Sequence, residues 1–385
     1  MPTQKKQHYV TQCLLKNFAN NDKNFYIFDL LKNNIVAKPI PYKTQCYTNY
    51  LYGKDGKWEK AIAKIETATA PIIQKLIENK SITFDEELTI KKFILFQYCR
   101  TERSIDLTNY MVADMYSKII PVLLRQEGLS VPENLKKLCI DNILKENNRS
   151  ETAVQHIEFA EESKESLNDL KLTVLCSSSY EFALSDNPVI IHNKYDTIGG
   201  QGLQCAGIIF IMPISAQKCI LLYDDGIYDL LKYGDQVILT DNEVKRINML
   251  LYLHSRQAMY SLNLKTISDI KKYYDSRYLD NFLRDIYAKI GFTDFIMINI
   301  AIANLKKHQP LLLQQLSPKY YAQKEGEYLP FLAIKNQFIP YTTDLNAGFN
   351  RFTDMENIPA KYYGIKGNYV MIIQSYLKDK KDKQK

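Results

Sequence analysis

The sequence predicts an α+β fold: an N-terminal hairpin and helical block packed with a mostly antiparallel sheet, followed by a mixed C-terminal module. Three observations carry this. Apolar residues keep helical spacing from about residue 58 to 166. Short β-branched and aromatic runs take over near Leu170, and the two textures do not alternate as βαβ units would.

Taken in order, Thr11 to Phe18 predicts a short helix, with Leu14, Leu15 and Phe18 on one face. Asn24 to Leu31 and Ile35 to Ile40 predict a hairpin across Lys32-Asn33-Asn34, because asparagine tolerates the left-handed backbone of tight turns. Trp58 to Asn79 predicts a helix kinked at Pro71, with Ile62, Ile65, Glu66, Ala70 and Ile73 at helical spacing. Helices follow over Glu86 to Arg103, Ile105 to Gln126, Glu133 to Glu146 and Thr152 to Ser166, punctuated by Gly128, Pro132 and Asn147-Asn148. The main sheet is expected from Lys171 to Ser177, Glu181 to Leu184, Val189 to His192, Gly207 to Met212 and Lys218 to Tyr223. Asp241 to Ser255 returns to helix with Asp241 as the expected N-cap. Short strands over Phe295 to Ala301, Tyr328 to Lys335 and Asn368 to Gln374 are the expectation for the C-terminal module.

With 385 residues, 46% hydrophobic and 24% charged, the chain has enough apolar content for a large core. The expected organisation is a first domain over residues 1–285 and a module over 286–385 with a basic tail. The longest apolar runs, Ile208 to Ile214 and Phe295 to Ala303, fall short of the roughly 20 residues of a membrane helix. No membrane partner and a cytoplasmic location are therefore expected. The seven cysteines (13, 46, 99, 139, 176, 205 and 219) are scattered without a C-x-x-C pair, which predicts free thiols and no zinc site. Five lysines and two aspartates in the last eight residues supply +3 of the formal +7. The remaining charge permits nucleic-acid contact without requiring it.

Several separated segments resemble one family. His8-Tyr9-Val10-Thr11-Gln12 with Leu15-Lys16-Asn17-Phe18-Ala19 is similar to the opening signature of the domain of unknown function 4238 family, with Thr11 where that signature has proline. Gln97-Tyr98-Cys99-Arg100-Thr101 resembles its Gln-x-x-Arg-Thr segment, and Ser185-Asp186-Asn187-Pro188 its Ser-Asp-Asn-Pro segment. Met212-Pro213-Ile214-Ser215, Asn248 and Tyr260-Ser261 are similar to later segments, so that the resemblance spans about residues 4–265. It implies a bacterial protein and no particular reaction.

The residues expected to form a site are His8, Gln12, Arg100, Asp186 and Asn187. A base that titrates near neutrality, a fixed cation, a carboxylate and two amides suit an anionic substrate. His8 would act as acid or base with Asp186, while Gln12, Arg100 and Asn187 bind. Structural roles stay open for each. His8 could be a satisfied structural group, and Arg100 could cap its helix or pair with Glu102 or Asp106. Asp186-Asn187-Pro188 is also an ordinary turn sequence.

Other motifs fail. Ser185-Asp186-Asn187 precedes Ser215-Ala-Gln-Lys218 and K-T-G is absent, the reverse of the penicillin-recognising order. Glu162-Ser163-Lys164 lies before Asp186 in helical texture, against the nuclease order. Gly199-Gly200-Gln201-Gly202 reads as a hairpin loop, and no nucleotide-cofactor motif or H-E-x-x-H pair exists. Separated carboxylates leave a weak Mg²⁺ site open. Lys272-Tyr273-Tyr274, Lys319-Tyr320-Tyr321 and Lys361-Tyr362-Tyr363 interleave cations with stacking rings, although 28 tyrosines make such triplets common by chance. The enzymatic reading is an effector hydrolase of nuclease or phosphodiesterase type acting on a phosphate-bearing nucleic acid or nucleotide. The alternative is a non-catalytic nucleic-acid or partner-binding protein of a defence or mobile-element system.

Overall fold

Two five-stranded sheets, several two-stranded ribbons and a helical layer make up the computed structural model, which describes residues 5–135, 138, 142, 146–193, 203, 207–231, 237–276, 329, 331–334, 349–350 and 363–364. The chain starts with β1 (Lys6–His8), α1 (Gln12–Asn17), β2 (Asn24–Asp29), β3 (Asn34–Ile35), β4 (Ile40–Pro41) and β5 (Tyr47–Asn49). Asn33 takes φ +50° in the β2–β3 turn, the conformation its side chain tolerates. The single strand expected over Ile35 to Ile40 is two short ones, both paired to β2, because Pro39 between them has no N–H for a ladder.

Helices α2 (Lys57–Ile77), α3 (Phe84–Cys99), α4 (Glu102–Gln126) and α5 (Glu146–Glu162) form the helical layer. Pro71 lies inside α2, which is continuous through it. Thr83 and Glu86 close a reciprocal capping box at the start of α3, and Thr101 caps α4 by accepting from Ser104 N. The helix expected over Glu133 to Glu146 falls almost wholly outside the described residues.

The first five-stranded sheet runs β12 (Val237–Leu239), β6 (Lys171–Ser177), β10 (Lys218–Tyr223), β9 (Ile208–Pro213), β8 (Ile190–Asn193), antiparallel apart from the parallel β12–β6 pair. All residues of β9 and β10 are buried, as fits strands covered on both faces. The second five-stranded sheet runs β3-β2-β13-β7 with β4 also paired to β2, and places β13 (Ala258–Ser261) between the N-terminal hairpin and β7 (Leu184–Ser185). This pairing brings the start of the chain against the Ser185-Asp186-Asn187 segment.

Helix α6 (Asp241–His254) is capped by Thr240, not Asp241: Thr240 exchanges hydrogen bonds with Glu243, while the Asp241 carboxylate accepts from Ser179 Oγ and Tyr180 N. Helix α7 (Leu264–Ser276) follows β13. Of the expected C-terminal strands, Leu332–Ile334 is described and pairs antiparallel with β11 (Tyr228–Leu230). The Phe295 to Ala301 and Asn368 to Gln374 strands and the Gly199 to Gly202 loop lie outside the described residues. Among those described, no helix is long and apolar enough to cross a membrane, and Cys13, Cys46, Cys99, Cys176 and Cys219 are free.

Candidate functional site around His8

Strand β1 is too short to hold itself in place, and three long polar side chains fix it. Gln7, 1% exposed, accepts from Tyr52 N at 2.6 Å and donates to Gly53 O at 3.0 Å, tying the loop before α2 to β1. Gln97 on α3 donates to Tyr9 O and accepts from Thr11 N, bracketing the chain as it enters α1. Arg100, at the end of α3, donates through Nη2 to His8 O and through Nη1 to Glu66 Oε1 at 2.7 Å. Its guanidinium also lies 5.1 Å from the Phe96 ring centroid.

These contacts leave His8 at the edge of a buried charge cluster. Burial and then the Arg100 cation hold the His8 pKa below its ordinary value, against the opposing pull of the Gln45 and Cys46 backbone and of Glu66. The imidazole is therefore biased towards its neutral form. Glu59 behaves oppositely, because burial and Glu66 raise its pKa while Arg100 lowers it, with burial the largest influence. Glu59 and Glu66 are seven residues apart on α2, two turns, so both fall on the face that carries the buried Ile62 and Thr69. Arg100 and Glu66 thus act on both His8 and Glu59, and on the Cys13 thiol, whose pKa burial pushes up.

Three polar atoms in this cluster are buried without a hydrogen-bond partner: His8 Nδ1, Glu59 Oε2 and Arg100 Nε. Buried polar atoms are nearly always satisfied, so three orphans around one ion pair single this cluster out as the candidate site. The backbone nearby is also constrained: Cys46 and Tyr50, on either side of β5, both take φ +54°, unusual for bulky side chains. The His8 ring meets the Tyr47 ring edge-on at 5.7 Å, in register across β1 and β5.

Asp186 and Asn187 are held a step away by other bonds. Both Asp186 carboxylate oxygens accept backbone N–H groups, from Arg256 at 2.9 Å and Gln257 at 2.6 Å. Asn187 accepts from Thr101 Oγ1 at 2.9 Å and donates to His254 O, linking the α3–α4 junction to the end of α6. The partners foreseen for Arg100 belong to others: Glu102 and Asp106 pair with Arg256 and Arg149. Arg100 pairs instead with Glu66.

The structure therefore brings His8 and Arg100 together, with Thr101 joining Asn187 to the same helix junction. Gln12 is the first residue of α1, half-buried, next to Cys13 in the His8 neighbourhood. The carboxylates bearing on His8 and Arg100 are Glu66 and Glu59, which motif reasoning missed. The signal was present, since Glu66 sits in the apolar stripe of α2 and a carboxylate there requires a cation. Among the described residues no group of three or more His, Cys, Asp or Glu is arranged to hold a metal ion. Of the Lys-Tyr-Tyr triplets, the second lies outside the described residues, as do the first two residues of the third and the tyrosine side chains of the first.

No curated protein and no solved structure gives a significant match to the chain. A family model does, over residues 6–264, the stretch that holds β1, the α2–α4 layer and the Asp186-Asn187 segment. The chain belongs to the family described as Protein of unknown function (DUF4238).

Proposed function

We propose that the chain is a hydrolase of phosphodiesterase type that works at His8 by acid–base chemistry on a nucleotide or nucleic acid. The observation that carries the reading is the opposed displacement of His8 and Glu59 around the Arg100–Glu66 pair, with an unpartnered buried atom on three of the four residues. Environments that push a histidine down and a carboxyl group up favour the neutral imidazole as base and the protonated carboxyl group as acid. Neutral His8 removes a proton from a water molecule, whose oxygen forms the new bond to phosphorus. Protonated Glu59 gives its proton to the leaving oxygen as the old P–O bond breaks. Arg100 positions His8 through the backbone carbonyl it holds, and the exposed Lys6 and Lys57, each two residues before an acid–base group, supply charge for the phosphate.

In this reading Asn187 serves by tying to Thr101 at the α3–α4 junction, and Asp186 by holding the turn between α6 and β13. Turnover of dinucleotides and short oligonucleotides, measured with and without Mg²⁺, tests it, together with growth inhibition on overexpression. His8→Ala is expected to abolish both effects. Turnover or growth inhibition unchanged in His8→Ala overturns the reading. The non-catalytic alternative is favoured by one observation, that both Arg100 Nη groups already have protein partners. It predicts binding without turnover in the unmodified protein.

A further inference from the structure

The ribbon that carries His8 has two unlike faces. Side chains alternate along β1, so Lys6 and His8 share a face and Gln7 points the other way, into the interior. Across the ribbon, Lys6 is in register with Asn49 and His8 with Tyr47, which puts these four side chains on one side. The Lys6 ammonium lies 4.6 Å from the Tyr47 ring centroid. Two more pairs of the same kind follow along the chain. Lys54 Nζ is 5.5 Å from the Tyr50 ring and Lys57 Nζ is 4.9 Å from the Trp58 ring. The loop that carries Tyr50 and Lys54 and leads into α2 is tied to β1 by Gln7 and by the Tyr50 N to Lys5 O bond at 2.9 Å. Glu59 comes directly after Trp58, at the start of α2.

We infer that the three ring–ammonium pairs around β1 form a binding track for single-stranded nucleic acid, with Tyr47, Tyr50 and Trp58 stacking bases and Lys6, Lys54 and Lys57 contacting phosphates. Alternating cations and rings suit a single strand, whose bases are free to stack and whose phosphates remain exposed. A duplex offers phosphates but keeps its bases stacked within itself. The three ammonium groups lie within about 6 Å of ring faces, so each can turn to a phosphate while a base takes its place on the ring. All three lysines are exposed, whereas the three rings are half-buried. His8 stands at the Tyr47 edge of the track, and Glu59 follows Trp58 in the chain. This inference rests on the hydrolase reading for what happens to the strand, but its binding is measured separately.

The test is fluorescence anisotropy of the full chain with labelled oligothymidylate and oligouridylate across a salt series. Binding of either sugar type supports the track. Lys6→Gln, Lys54→Gln and Lys57→Gln together are expected to flatten the slope of log affinity against log salt by about 2, from roughly 0.7 per phosphate contact on a single strand. These positions are exposed, so folding is not at risk. Tyr47→Leu and Tyr50→Leu, checked by thermal melting, are each expected to weaken binding about five- to a hundredfold. An unchanged slope in the lysine variant, or inorganic polyphosphate or a duplex bound as tightly as the single strand, overturns the inference. Dinucleotide turnover that depends on His8 without any strand binding fails the track alone. Strand binding with turnover indifferent to His8→Ala fails the hydrolase reading and leaves the track standing.

Discussion

Arg100 donates to Glu66 at 2.7 Å from a position only 1% exposed, while Glu66 keeps 29% of its side-chain surface open to water. The pair is asymmetric: one partner depends on the protein for its charge balance and the other can return to solvent. Arg100→Ala is expected to lower stability by about 3 kcal/mol, the lower end for breaking a buried pair, because Glu66 can rehydrate. Arg100→Lys should rescue little, since one ammonium cannot serve both Glu66 and the His8 carbonyl. Urea unfolding of the two variants and of Glu66→Gln measures this. Equal stability of Arg100→Lys and the parent would show that the fork is not needed.

Asp186→Asn tests the division of labour between the two junctions. The carboxylate accepts two backbone N–H groups from Arg256 and Gln257, and the asparagine NH₂ would face one of them. A loss of about 1–3 kcal/mol is expected. Turnover per folded molecule should stay within about twofold of the parent. A folded Asp186→Asn protein that has lost turnover would put Asp186 in the chemistry.

Stability should fall in mild acid for a nameable reason. Burial lowers the pKa of both His8 and His156 from the ordinary 6.5, and His156 is further enclosed by Thr108 and the Cys99 carbonyl. A depressed folded-state pKa means that the unfolded chain takes up the proton first. The stabilisation is thus fully present above 6.5 and is lost as pH falls through the folded-state values. Glu59 has the opposite sign: its stabilisation is present below 4.5 and is lost as pH rises through its raised value. Urea midpoints measured across pH should show a smaller acid loss in His156→Gln than in the parent. An equal loss would place the sensitivity elsewhere.

The α+β class was readable because periodicity changes cleanly, and the strands at Lys171–Ser177 and Lys218–Tyr223 begin and end where the side-chain pattern says. The site was half readable. His8 and Arg100 stand in recognisable segments and do meet, although through a backbone carbonyl instead of the imidazole. Glu66 stands in the apolar stripe of α2, which calls for a cation without saying which one, and Glu59 has no such mark; the α2–α3 packing sets both beside Arg100. Asp186 was paired with His8 on chemical suitability alone. Backbone N–H groups claim its oxygens, a contact no side-chain motif encodes. The tyrosine–lysine signal was sought in the Lys-Tyr-Tyr triplets, whereas the described ring–ammonium pairs near His8 join residues as much as 41 positions apart, as with Lys6 and Tyr47.

The hydrolase reading rests on His8 and Glu59 acting as base and acid, and the pH dependence of oligonucleotide turnover tests that most directly. A bell-shaped profile is expected for the parent, with two apparent pKa values that belong to the coupled pair. His8→Gln should lose the acidic limb and Glu59→Gln the alkaline limb, each with a rate lowered about 10²- to 10⁴-fold. A profile and rate unchanged by either substitution would contradict it.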